Sequence, residues 1–231
     1  MFKLKSSIVA IALIGTAFCM SAQAETIYGT SFGTGSSYAT TLNGVAATFS
    51  ATSGGSPGNF SYKSQAGYTG VGVEGGGTLE IDIDQSIAAS FGAPINISGF
   101  TIALLFDGPE YGDVNETAEI RAVFSDNTVH TFTFSATGST TGSWSGGGTF
   151  SNLSTATDGS GAVWNFTNPF EGAAITSLSF TAIQGSCGSG ACTNQSDFTL
   201  ISVSAVPEPG SYAMMLAGLG LMGFVVSRRR S

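Results

Sequence analysis

Basic residues are scarce in this chain. Seven Lys and Arg stand against fifteen Asp and Glu in 231 residues, a formal net charge of −8. Lys3 and Lys5 open the chain and Arg228, Arg229 and Arg230 close it, so only Lys63 and Arg121 lie between. So acidic a body repels nucleic-acid phosphates and anionic membrane surfaces, which excludes nucleic acid as a partner. Histidine is nearly absent: His130 stands alone between Val129 and Thr131 in a strand-like run, where a single imidazole reads as structural. Charged residues make up only 10% of the chain, too few to lay a polar stripe along amphipathic helices.

Cysteine is also sparse. Cys19 falls in the N-terminal apolar segment, which leaves Cys187 and Cys192 in Cys-Gly-Ser-Gly-Ala-Cys. With no second pair and no nearby histidine, zinc is excluded, and an even pair in an oxidising compartment predicts a loop-tip disulfide. Catalytic motifs are lacking too. Two stretches fit Gly-x-Ser-x-Gly, Gly29–Gly33 and Gly54–Gly58, but neither leads into the helical pattern a nucleophile elbow requires.

What the chain does hold is glycine (33 residues), Ser, Thr and 17 Phe. Thr, Val, Ile and Phe suit a pleated half-buried surface, and Gly, Asn and Ser supply its turns. The expected fold is all-β, an antiparallel jelly-roll-like sandwich over residues 25–205, with a β-solenoid as the alternative. The clearest alternation is Thr78–Asp84, which predicts a strand with Leu79, Ile81 and Ile83 inward. Glu80, Asp82 and Asp84 then form a solvent-facing row, with pairing to Lys63 or Arg121, or a metal site, as other uses. Ile95–Phe106 predicts a central strand. Ala118–Phe124 and Thr128–Phe134 predict a hairpin about Asp126-Asn127. Weaker strands are expected at Thr26–Phe32, Val45–Ala51, Asn59–Lys63, Val163–Phe166, Ile175–Ile183 and Asp197–Val203. Thr137–Ser160 reads as a long surface loop or a glycine-softened hairpin.

Both ends carry export signals. Lys3 and Lys5 precede an apolar run from Ile8 to Met20, then Ser21-Ala22-Gln23-Ala24, which predicts signal peptidase cleavage after Ala24. Phe18 stands where lipoprotein processing at Cys19 would want a small residue. At the other end, Val206-Pro207-Glu208-Pro209-Gly210 leads into an apolar stretch from Tyr212 to Val226 and then the three arginines. Fifteen helical residues rise ~22 Å, short of the roughly 30 Å of a hydrocarbon core, which suits a transient anchor in the inner membrane.

The order Pro-Glu-Pro, apolar helix and arginine cluster resembles the PEP-CTERM sorting signal, a tail also called an ice-binding protein C-terminal domain. By that resemblance, Pro207, Glu208 and Pro209 are the recognition residues for an exosortase-like processing enzyme, and Arg228, Arg229 and Arg230 are the basic stop. The resemblance implies a Gram-negative, exopolysaccharide-making host and a body secreted or displayed at the cell surface.

Two features of the body invite ligands. Asp107, Glu110, Asp113, Asn115 and Glu116 crowd one Gly- and Pro-punctuated loop, oxygen ligands of the kind calcium takes, although not at EF-hand spacing. Aromatic side chains offer platforms for sugar rings: Trp144, in its Gly/Ser setting, is the candidate, whereas Trp164 reads as core. The functional expectation is a non-catalytic surface or matrix protein associated with exopolysaccharide. A lectin-like module, calcium-assisted or not, is the alternative, and a secreted glycan hydrolase or lyase the third.

Overall fold

The computed structural model describes residues 23–108, 113–154, 162–187, 196–207, 217–223, 225 and 228. The signal-peptide residues 1–22, with Cys19, therefore lie outside the described residues. The strands are β1 (Glu25–Tyr28), β2 (Ser37–Leu42), β3 (Val45–Ser53), β4 (Ser56–Pro57), β5 (Phe60–Gln65), β6 (Tyr68–Val73) and β7 (Gln85–Ala103). They continue with β8 (Asp113–Phe124), β9 (Val129–Gly138), β10 (Thr141–Trp144), β11 (Thr149–Asn152), β12 (Trp164–Thr167), β13 (Ile175–Cys187) and β14 (Thr199–Val206). The fold is all-β and antiparallel, as the composition implies.

β7 organises the molecule. Its first half pairs with β3 on one side and β13 on the other, Ile87 lying opposite both Ala51 and Phe180. Its second half pairs with β14 and β12, Ile102 opposite Leu200 and Trp164. Between them Gly92, Ala93 and Pro94 are exposed, and there the strand passes from one half of the sheet to the other. Proline cannot donate to a ladder, so it is tolerated where pairing changes hands. One half runs β10-β9-β8-β13-β7-β3-β2, and the other runs β11-β12-β7-β14-β6-β5 with β1 beside the end of β14.

The two halves face each other. Phe180 of β13 meets Phe100 of β7 edge-on at 5.2 Å, and Phe134 of β9 lies 4.9 Å from Trp164 of β12. Phe32 bridges Phe49 of β3 and Phe60 of β5 at 4.5 and 5.0 Å. Each large side chain fully buried between the layers stabilises the fold by ~1.5–3 kcal/mol. Trp164 is wholly buried, as expected, and its Nε1 donates to the Leu105 carbonyl at 2.9 Å.

The hairpin about Asp126-Asn127 is present. Asn127 takes a left-handed φ of 68°, and the Thr128 amide donates to Asp126 Oδ1 at 2.9 Å. Thr137–Ser160 divides, β10 joining β9 and β11 joining β12, with residues 155–161 outside the described set.

The segment Thr78–Asp84 corrects the sequence reading. It is not a ladder strand: Ile81 makes one isolated bridge to Phe198, and Leu79 and Asp84 hold φ of 65° and 63°. Those left-handed residues break the two-residue alternation. Leu79 is thereby exposed (46%) and Glu80 buried (1%), the reverse of the expected faces.

Candidate functional site

A cluster of ionisable side chains forms where this segment crosses the sheet. β6 carries Gly70 and Gly72, and a Cβ on Gly72 would meet the Glu80 Cα at 2.4 Å. The missing side chain lets residues 79–80 lie directly on the strand. The Val73 amide donates to the Glu80 carbonyl at 2.9 Å, and the Ile81 amide donates to the Phe198 carbonyl at 2.7 Å. Ser61 Oγ donates to the Leu79 carbonyl at 3.1 Å. Glu80 is thus fixed from β5, β6 and the approach to β14 together.

Lys63 of β5 donates from Nζ to Glu80 Oε2 in a salt bridge. The other oxygen, Oε1, is buried without a hydrogen-bond partner. Asp197 lies alongside. Burial first, and then the charge of Glu80, push its carboxyl up to about 8, against the pull of Lys63. Glu80 is also raised, by burial against its contact with Lys63. Asp82 is raised by burial, opposed by the Thr78 hydroxyl, which donates to its Oδ1 at 2.9 Å. Of the three acids in the expected solvent-facing row, Glu80 and Asp82 are drawn inward. Lys63, one of the two partners considered for them, is the one that pairs.

Of the five candidate calcium ligands, Asp107, Asn115 and Glu116 have described side chains. Asn115 Oδ1 accepts the Ser186 amide at 3.0 Å, and Glu116, 1% exposed, accepts the Phe106 amide. Their oxygens hold β8 against its neighbours. Asp107 is exposed. Glu110 and the side chain of Asp113 lie outside the described residues. Among the described residues no group of three His, Cys, Asp or Glu is placed to hold a metal ion.

Trp144 is half-buried. Its Nε1 donates to the Gly147 carbonyl at 2.8 Å, and its ring packs edge-on to Phe166 at 4.9 Å. The more open aromatic surface is at the neighbouring hairpin. His130 and Phe132, two apart on β9, present nearly parallel rings, 16° apart with centroids 6.2 Å from each other. Phe124 abuts His130 at 4.7 Å, and Phe170 supports Phe132 at 5.6 Å. With Gly147, Pro169, Glu171 and Ala173 they line a depression of about 380 Å³ at the open end of the core. In the sequence, the signal for this surface is the placement of His130 two positions from Phe132, near the turn.

Cys187 ends β13, and Gln184 Nε2 donates to its Sγ at 3.2 Å. Cys192 lies outside the described residues. Of the two Gly-x-Ser-x-Gly stretches, the first forms a 3-10 turn at Gly29–Ser31 and the second a hairpin through β4, so neither serine heads a helix.

At the tail, β14 stays in the sheet to Val206, which lies opposite Asn96. Pro207 follows at the rim, beside Asn43, Val45, Ala93, Pro94 and Ile95. Glu208 and Pro209 lie outside the described residues, as do Arg229 and Arg230. Residues 217–223 are helical and exposed, and no helix among the described residues is long and apolar enough to cross a membrane.

The family model of the PEP-CTERM protein-sorting motif matches residues 205–230. The chain therefore carries that motif, which implies export, handling by an exosortase-like enzyme, and a surface or extracellular destination. No curated protein and no solved structure matches the chain.

Proposed function

We propose that this is a non-catalytic surface or matrix protein of a Gram-negative cell, released from a transient inner-membrane precursor and associated with exopolysaccharide. The observation that carries this reading is the sorting motif at residues 205–230. Its placement supports the reading: Pro207 leaves the sheet at the rim, so the Pro-Glu-Pro segment begins where the folded body ends. Prolines disfavour helix, and an extended backbone is the form a membrane enzyme could grip. A signal peptide over residues 1–24, which would direct export, and a Cys187–Cys192 disulfide, which the oxidising compartment it leads to would favour, belong to the same proposal.

Replacing Glu208 with Ala tests it by cell fractionation. Precursor should accumulate in the inner-membrane fraction while the body stays folded. Unchanged surface display would rule out sorting through this tripeptide.

The aromatic depression favours a second reading, a lectin-like module. Pyranose rings carry apolar faces that stack on aromatic rings, and His130 and Phe132 offer such rings in a depression that Glu171 also lines. Binding to the host's own exopolysaccharide, lost in His130→Ala, would support this reading, and loss with EDTA would make it calcium-assisted. Equal retention of wild type and His130→Ala would count against it.

A further inference from the structure

We propose that Lys63 and Glu80 condense into an intramolecular amide bond, with the neighbouring Asp197 as the acid that moves the protons. The bond would brace β5 against the 79–81 segment. It is independent of how the protein is sorted and of what it binds.

Three placements carry it. Lys63 Nζ rests on the Glu80 carboxylate. Glu80 is 1% exposed, its Oε1 has no partner, and its backbone is fixed by Val73 and Phe198, so the reacting pair is held with little freedom to separate. Asp197, at the approach to β14, is hydrogen-bonded to that carboxyl. Asp197, pushed up to about 8 by burial and by Glu80, keeps its proton at neutral pH and so can donate it.

The chemistry balances without a co-reactant. In a poorly solvated site the charged pair is costly, and transfer of one proton from the Lys63 ammonium to Glu80 leaves a neutral amine facing a neutral acid. The Nζ lone pair attacks Glu80 Cδ, and the electrons of the carbonyl bond move to its oxygen. Asp197 protonates the departing hydroxyl and accepts the surplus Nζ proton. The C–N bond forms, the C–O bond breaks, one water leaves, and Asp197 is returned to its starting state. Overall, an ammonium and a carboxylate become an amide and water.

Trypsin mapping of the denatured full chain reads the outcome directly, because Lys63 and Arg121 are the only basic residues between Lys5 and Arg228. The amide blocks cleavage after Lys63. The region ending at Arg121 should then appear as one uncut product, lighter than its sequence by one water, whose fragmentation shows a closure between Lys63 and Glu80. Lys63→Arg keeps the positive charge but restores cleavage at position 63 and the full sequence mass. Asp197→Asn keeps the shape and a neutral side chain while removing the proton carrier, and should slow bond formation roughly a hundredfold with circular dichroism unchanged. Free cleavage at Lys63 in the wild-type chain would overturn the proposal. So would a link from Lys63 into the product downstream of Arg121, which would make Asp197 the acyl partner. Full bond formation in a folded Asp197→Asn variant would overturn the role given to Asp197.

Discussion

Glu25 lies directly opposite Ala205 in the ladder between β1 and β14. The first residue expected after signal-peptide removal is thus paired with the last residues before the sorting tripeptide. Thr26 Oγ1 and Ser204 Oγ, 2.8 Å apart, reinforce the same register. The ladder thus brings the start of the described body, at β1, beside its end, at β14.

Ile27 anchors that ladder, since its side chain is buried on the strand opposite Val203. Ile27→Ala should cost ~2–4 kcal/mol by loss of apolar burial and the cavity left behind. Urea unfolding gives the loss. Hydrogen exchange should show residues 202–206 opening more readily than β8 or β13, and uniform opening of all strands would contradict this account of β1.

Gly72 should tolerate no side chain. A methyl group there would overlap the Glu80 Cα and the Leu79 carbonyl, both backbone atoms that cannot swing aside. Gly72→Ala is expected to destabilise the body by ~1–3 kcal/mol through overpacking. Gly67, with nothing near its Cβ position but a φ of 84°, loses stability by a different route, backbone strain. A Gly72→Ala variant as stable as wild type would mean that residues 79–80 do not rest on β6.

Stability should fall as pH rises from about 4 to about 8. Asp197 is raised from 3.8 to about 8 in the folded protein, so over that interval the native state holds a proton the unfolded chain has released. Unfolding then releases a proton, and the folded state is favoured less with each step up in pH. Thermal melts across this range should show a decline that Asp197→Asn flattens. A melting temperature that rises over the interval and responds equally in Asp197→Asn would contradict the placement of this carboxyl.

Much of the sheet was legible because local chemistry and tertiary role agree there. Alternating apolar residues in Ala118–Phe124 and Thr128–Phe134, with Asp126-Asn127 between them, specify a hairpin without help from the rest of the chain. The first half of β7, Gln85–Pro94, went unread because Ala, Ser and Gly carry little strand preference. It pairs through its position between β3 and β13. The acidic cluster failed for a related reason. Leu79 to Asp84 has a clean two-residue period, but the glycines at 75–77 and the left-handed Leu79 and Asp84 turn it into a loop. Its burial depends on Gly72 and on Asp197, far away in sequence. Lys63, one of only two basic residues in an acidic body, was the signal that buried carboxylates needed a partner.

The central claim is that the chain's last segment is an address, removed once read, and that the sandwich is what reaches the outside. Intact-mass measurement of protein extracted from the cell surface tests it most directly. The account predicts a species that begins at Glu25, retains β14 through Val206, and lacks Arg228, Arg229 and Arg230. A surface species that still carries the three arginines would contradict it.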